Sequence, residues 1–151
     1  MKEAIKALKN IKGQLAANPA LKTLIGGNPD SDISKAITHK PELNMTKLNQ
    51  EHNFQSYISI SINKVEAFET QDMYYIKVNV VVDQVNLDNP AELALGITGE
   101  VIRELTVKEL KFAFPEQLVF GEAEETYFDL DNKTWGYVLI FATGTSPVSS
   151  S

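Results

Sequence analysis

The chain contains no cysteine, and that absence removes disulfide staples, thiolate metal sites and cysteine nucleophiles together. Histidine is nearly as scarce, with only His39 and His52. Neither has the spacing of a helical metal pair or stands beside an obvious nucleophile, so both read as surface histidines. Long apolar runs are also missing. Nothing approaches the roughly 18 uninterrupted apolar residues that a membrane-spanning helix needs. The opening Met1-Lys2-Glu3 leads into an amphipathic pattern broken by lysines, which predicts no secretory leader and folding in the cytoplasm. Basic charge is in short supply too: 14 Lys and Arg face 20 Asp and Glu, a net charge of −6. Non-specific nucleic-acid binding is therefore disfavoured, because it needs cations to displace counterions from phosphates.

Motifs for catalysis or cofactor binding are absent in the same way. Gly26-Gly27 is not followed by the lysine and hydroxyl residue of a phosphate-binding loop. Asp129-Leu130-Asp131-Asn132-Lys133 opens like a calcium loop but lacks the later glycine and the closing glutamate, so it reads as a hairpin turn. Thr145, Ser146 and residues 149–151 lie in a polar tail, not in a strand-turn-helix nucleophile elbow. No carboxylate pair is set in apolar surroundings that would separate two pKa values. The expectation is a protein that is not an enzyme, with no catalytic residues, no metal and no cofactor.

What is present fits one domain. A length of 151 residues, 43% hydrophobic and 23% charged, is enough to bury a core without staples. Residues 3–17 read as a helix, with Ile5, Leu8, Ile11 and Leu15 at helical spacing and Lys2, Lys6, Lys9 and Lys12 along a solvated stripe. Asn18-Pro19 interrupts it, Pro19 suits the first turn of a second short helix over 20–25, and residues 26–30 end helical structure. Residues 33–40 read as a short edge strand and 41–53 as a long loop.

Two alternating runs follow. In residues 55–63, Ile58, Ile60 and Ile62 oppose Tyr57, Ser59 and Ser61. In 73–85, Ile76, Val78, Val80 and Val82 oppose Tyr75, Lys77, Asn79 and Asp83. Such alternation predicts an antiparallel hairpin with one face on the core and one face wet or covered by a partner. The connector over 64–72 is long and acidic and carries Val65 and Phe68, apolar residues with no core to reach. Asn89-Pro90-Ala91-Glu92 opens a helix with a capping box. Leu93, Ile97, Val101, Ile102 and Leu105 form its stripe, and Gly96 and Gly99 predict a close approach to the sheet. Residues 110–120 are broken by Pro115, and Glu122, Glu124 and Glu125 form an acidic run that could complement a basic partner. A last hairpin joins residues 127–130 to an aromatic strand over 134–143, apolar on both faces as a central strand is. The reading is an α+β fold: an antiparallel sheet of about four to five strands, with two main helices packed on one face. The domain spans residues 1–143, and 144–151 form a flexible tail.

The N-terminal helix, the alternating hairpin, the Asn89-Pro90-Ala91-Glu92 opening and the final Asp129-to-Thr143 segment together resemble the tail terminator proteins of phages and prophages. These are also called tail completion or tail-to-head joining proteins. The resemblance implies a structural virion protein that forms a six-fold ring, caps the tail tube, ends its polymerisation and joins the tail to the head connector. Its implied partners are its own copies, the tail tube protein and a head-completion or connector protein. DNA enters only as passing cargo, and no membrane is involved. The implied location is the head-proximal end of the virion tail, after assembly in the host cytoplasm. A ring needs one patch to meet a different patch on the neighbour, and the candidate interaction residues are Val65, Glu66, Phe68, Glu69, Tyr57, Tyr75, Lys77, Glu124, Asp129 and Asp131. Two alternatives stand beside this reading: another ring-forming tail tube or neck protein, and an unrelated small ligand-binding α+β domain.

Overall fold

The computed structural model describes residues 2–40, 43, 45–69, 72–85, 87–107, 115, 117–131 and 133–144. Among these residues, five strands form one sheet in the order β1-β2-β3-β5-β4. They are β1 (Ile37–Thr38), β2 (Tyr57–Ala67), β3 (Asp72–Asp83), β4 (Val119–Asp129) and β5 (Thr134–Gly144). The helices are α1 (Lys2–Ala16), α2 (Pro19–Gly26), α3 (Met45–Glu51) and α4 (Pro90–Ile102). The expected α+β class is what forms, and β5 is internal to the sheet, as its two apolar faces require. β2-β3, β3-β5 and β4-β5 pair antiparallel. The sheet is nevertheless mixed, because β1 runs parallel to β2 through Ile37↔Ile58 and Thr38↔Ser59.

The core follows from the alternation. Ile58, Ile60, Ile76, Val78, Val80, Leu139 and Phe141 leave one face of the sheet with no exposed surface. They share a cluster with Ile11 and Leu15 of α1, Leu21 and Ile25 of α2, and Ile97 and Val101 of α4. Each such side chain contributes about 1.5–3 kcal/mol on leaving water. Beside this cluster, Val82 and Trp135 pack with Ala94 near the start of α4.

Several expectations need correction. Helix α1 is turned from the anticipated stripe: it buries Ala4, Ala7, Ile11 and Leu15, while Ile5 is 56% exposed. The small alanines let the first turns of α1 lie close to the sheet, and that outweighs the larger Ile5 in choosing the buried face. The stretch 41–53 is not all loop, since α3 forms within it. The long connector is shorter than expected, because β2 continues to Ala67 and β3 starts at Asp72. The acidic run belongs to a strand, for β4 carries it along a full 11 residues. A Cβ on Gly96 would meet Leu24 of α2 at ordinary van der Waals distance, and one on Gly99 would meet nothing within 4 Å among the described residues, so neither glycine is needed to bring α4 to the sheet. The anticipated break over 110–120 lies largely outside the described residues, as does the tail after Gly144.

Two glycines are required by geometry. Gly27 ends α2 at φ 97, in the left-handed region. A Cβ on Gly136 would stand 1.8 Å from the Val80 carbonyl oxygen, so β5 can lie against β3 there only without a side chain.

A polar clamp fixes the helix layer. Asn18, between α1 and α2, is 1% exposed and uses every hydrogen-bonding group of its amide. Its Oδ1 accepts from the Leu21 amide and caps α2. Its Nδ2 donates to Glu100 Oε1 and to Glu104 Oε1, each at 2.8 Å. Gln14 Nε2 adds a 3.2 Å bond to Glu104. Glu100 and Glu104 share one side of α4 and of the π-helical turn Arg103–Val107 that continues it. Asn18→Ala should cost about 2–4 kcal/mol, combining a lost cap with a buried acceptor short of its donor. Asn18→Asp keeps the cap acceptor but sets a third carboxylate against two others, raising its pKa in the folded state. Its deficit relative to wild type should therefore shrink as pH is lowered toward about 4. Urea denaturation from pH 7.5 to 4.5 checks this, and a deficit independent of pH contradicts the clamp.

Candidate assembly interface

The anticipated surface residues fall into three places. The first is the β2-β3 arm. A bulge between Ile62 and Lys64 shifts the register, so Lys64 comes opposite Tyr75 and Val65 opposite Tyr74. Bulges re-aim side chains in this way. Lys64 consequently sits 2.6 Å from Glu66 Oε1 and 5.9 Å from the centre of the Tyr75 ring. The hydrogen bond to Glu66, and then its charge, hold the Lys64 ammonium above its ordinary pKa. Beyond this fixed trio, Val65 is 36% and Phe68 53% exposed, and Glu69 is exposed.

The second place is the opposite end of the strands. Met73 of β3 pairs with Gly144 at the arm end, and Asp83 pairs with Thr134 at the other. At that far end Asp129 Oδ1 accepts from the Asp131 amide at 3.0 Å, an Asx turn closing the last hairpin. Lys133 follows in the left-handed region at φ 54. Twelve residues of β3 separate the two groups, roughly 40 Å at strand rise. The structure thus parts Val65, Glu66, Phe68 and Glu69 from Asp129 and Asp131, with Glu124 exposed between them on β4.

The third place is the sheet face away from the main helix layer, where Tyr75 and Lys77 are half-buried. Tyr57 does not join them as surface. It is 1% exposed, its hydroxyl donates to the Leu48 carbonyl of α3 at 3.2 Å, and Phe54 meets its ring edge-on. Because α3 was hidden in an aperiodic stretch, nothing in the sequence marked the start of β2 as covered on both sides. Burial pushes the Tyr57 phenol above its ordinary pKa.

Sequence reading also missed a basic cleft. Lys12 of α1, Lys35, Lys40, and Lys47 of α3 line it, with Ile37, Leu43, Glu51 and His52, around a volume of about 370 Å³. Its lysines come from four separate segments, so no linear cluster announces them. His39 lies next to this wall, and its Nδ1 is buried without a hydrogen-bond partner. Burial pushes its pKa down, and the charges of Lys12 and Lys9 add to the effect, against an Ile60 backbone hydrogen bond. Among the described residues, no cluster of acids and histidines is suited to hold a metal ion. No helix among them is long and apolar enough to cross a membrane.

No protein-family model matches the chain, and no curated protein sequence matches it. Three chains of solved structures do match. One belongs to the virion of the native gene transfer agent particle, with a TM-score of 0.64 at 15% identity. The match covers 93% of this chain and 96% of that one. The likeness is one of fold, and it runs nearly end to end on both sides.

The depressed His39 pKa has a testable consequence. The unfolded chain binds a proton at this position before the folded one does, so stability is full above about pH 6.5 and declines as pH falls below it. His39→Gln should flatten the decline of the denaturation midpoint between pH 7 and pH 5. An unchanged slope in the variant would assign it to another group.

Proposed function

We propose that the chain is a structural virion protein that assembles as a hexameric ring on the end of a tail tube, stops tube growth and joins the tail to the head connector. The observation that carries this reading is the near-complete correspondence of fold with a chain of a virion particle. The layout agrees with it. Exposed groups occupy both ends of a subunit roughly 40 Å long, so one end can meet the tube and the other the connector. Val65, Phe68 and Glu69 serve one of these contacts, and Asp129 and Asp131 the other. The net charge of −6 lets DNA pass without adhering. The space between helices and sheet is occupied by side chains with no exposed surface, Ile60, Val78, Val80, Ile97, Val101 and Leu139 among them. That filled core disfavours the reading as a small-ligand binder. A tube or neck protein shares the ring logic and differs in copy number, being repeated along the tail or placed on the connector side.

Native mass spectrometry with negative-stain imaging tests the proposal. Six-subunit rings are expected, and a monomer carrying a co-purified small molecule contradicts it. Phe68→Ser should leave stability within about 0.5 kcal/mol, because the side chain is exposed. It should weaken binding to tail tube ends by about tenfold or more, as loss of an apolar anchor does. Unchanged binding in a pull-down on tails would remove the arm from the interface.

A further inference from the structure

Charge is divided across the molecule far more unevenly than its net value shows. Residues 1–64 carry nine lysines against five acidic residues, and residues 65–151 carry fifteen acidic residues against five basic ones. The first stretch builds α1, α2, β1, α3 and most of β2, and the second builds β3, α4, β4 and β5. Sheet order then sets the two halves on opposite flanks, with β1 outermost on the basic side and β4 outermost on the acidic side. Four strand spacings, roughly 19 Å, separate these edges.

Among the described residues, each flank presents an exposed surface. The acidic flank ends in β4, an 11-residue edge strand exposed over most of its length. A long free edge is a template for association unless charge blocks it. Glu122, Glu124 and Glu125 block it selectively, because two copies of β4 meeting edge to edge would repel. That disfavours a two-fold contact through this strand and leaves a contact between unlike patches. The basic flank offers the cleft lined by Lys12, Lys35 and Lys40 beside the lysines of α1. Both flanks also carry exposed apolar groups: Val119 (59%) and Tyr127 (54%) on β4, and Ile5 (56%) on α1.

We propose that β4 of one copy docks on the basic flank of the next, its glutamates facing the lysine-lined cleft, so that copies of this chain join head to tail. The inference rests on the ring reading above and supplies its subunit contact. Charge steers such an encounter and fixes its polarity, while the apolar groups that flank the glutamates, Val119 and Tyr127, exclude water on either side of them.

A charge swap tests it. One variant carries Glu122→Lys, Glu124→Lys and Glu125→Lys, and the other carries Lys12→Glu, Lys35→Glu and Lys40→Glu, each checked for folding by circular dichroism. In sedimentation velocity at low ionic strength, each variant alone should associate at least about 100-fold more weakly than wild type. An equimolar mixture should regain assembly, since each reversed edge then meets a reversed cleft, and an even-numbered ring closes by alternation. Variants that assemble alone as wild type does would overturn the proposed contact while leaving the ring intact. Failure of the folded pair to recover in the mixture would overturn it as well. A wild-type chain that stays monomeric at low salt and high concentration would remove both the contact and the ring. Should a reversed variant not fold, Glu122→Gln, Glu124→Gln and Glu125→Gln together should weaken association and reduce its salt dependence, and no change in either would overturn the proposal.

Discussion

The main helix layer, α1, α2 and α4, packs on one face of the sheet, and most of what this molecule offers to others follows from that constraint. The face with Ile58, Ile60, Val78, Val80, Leu139 and Phe141 is spent entirely on the core. The remaining surfaces are a second face that is buried around Tyr57, Ser59, Asn79 and Val81 and half-buried at Tyr75 and Lys77, two lateral edges, and two ends roughly 40 Å apart. A fold that hides one face and keeps its edges is suited to contacts between copies. The period-2 alternation enforces the division, because a one-residue slip would exchange the buried face for the wet one.

Rigidity inside the layer comes from a small number of demanding contacts. Asn18 ties the α1-α2 junction to Glu100 and Glu104, 82 and 86 residues away in sequence. Gly136 lets β5 lie against the Val80 carbonyl, where any Cβ would force the strands apart. Together they hold the helices and the internal strands β3 and β5 in one arrangement, so that edges and ends are presented at fixed spacing. In a ring, small errors in subunit orientation accumulate around the circle, and such fixing matters there more than in a monomer.

The elements with strong period or cap chemistry were legible in the sequence. The β2-β3 hairpin, the central aromatic strand and the start of α4 are where alternation and the Asn89 cap place them, and Asn89 does accept from the Glu92 amide while donating to its carboxylate. What escaped was decided by packing between distant segments. Helix α3 has seven residues without a periodic stripe, so nothing local set it apart from loop. The face of α1 was chosen by two small alanines, which no scale of hydrophobicity favours over Ile5. Of the candidate interface, the arm residues Val65 and Phe68 are exposed as expected and Tyr57 is not. The basic cleft draws its lysines from four segments, and only the folded chain brings them together.

The polarity of the molecule connects these features to assembly. In the proposed contact, the lysine-rich flank and the glutamate-bearing edge strand, at opposite sides of one sheet, are the two unlike patches that meet. The most direct test is hydrogen exchange of the β4 backbone amides, followed as protein concentration is raised through the range where assembly occurs. The account predicts that protection of residues 119–129 rises together with that of α1, β1 and α3, while the exposed side of α4 stays unchanged. Protection confined to α4 or to the open sheet face, with β4 exchanging freely in the assembled state, would contradict it.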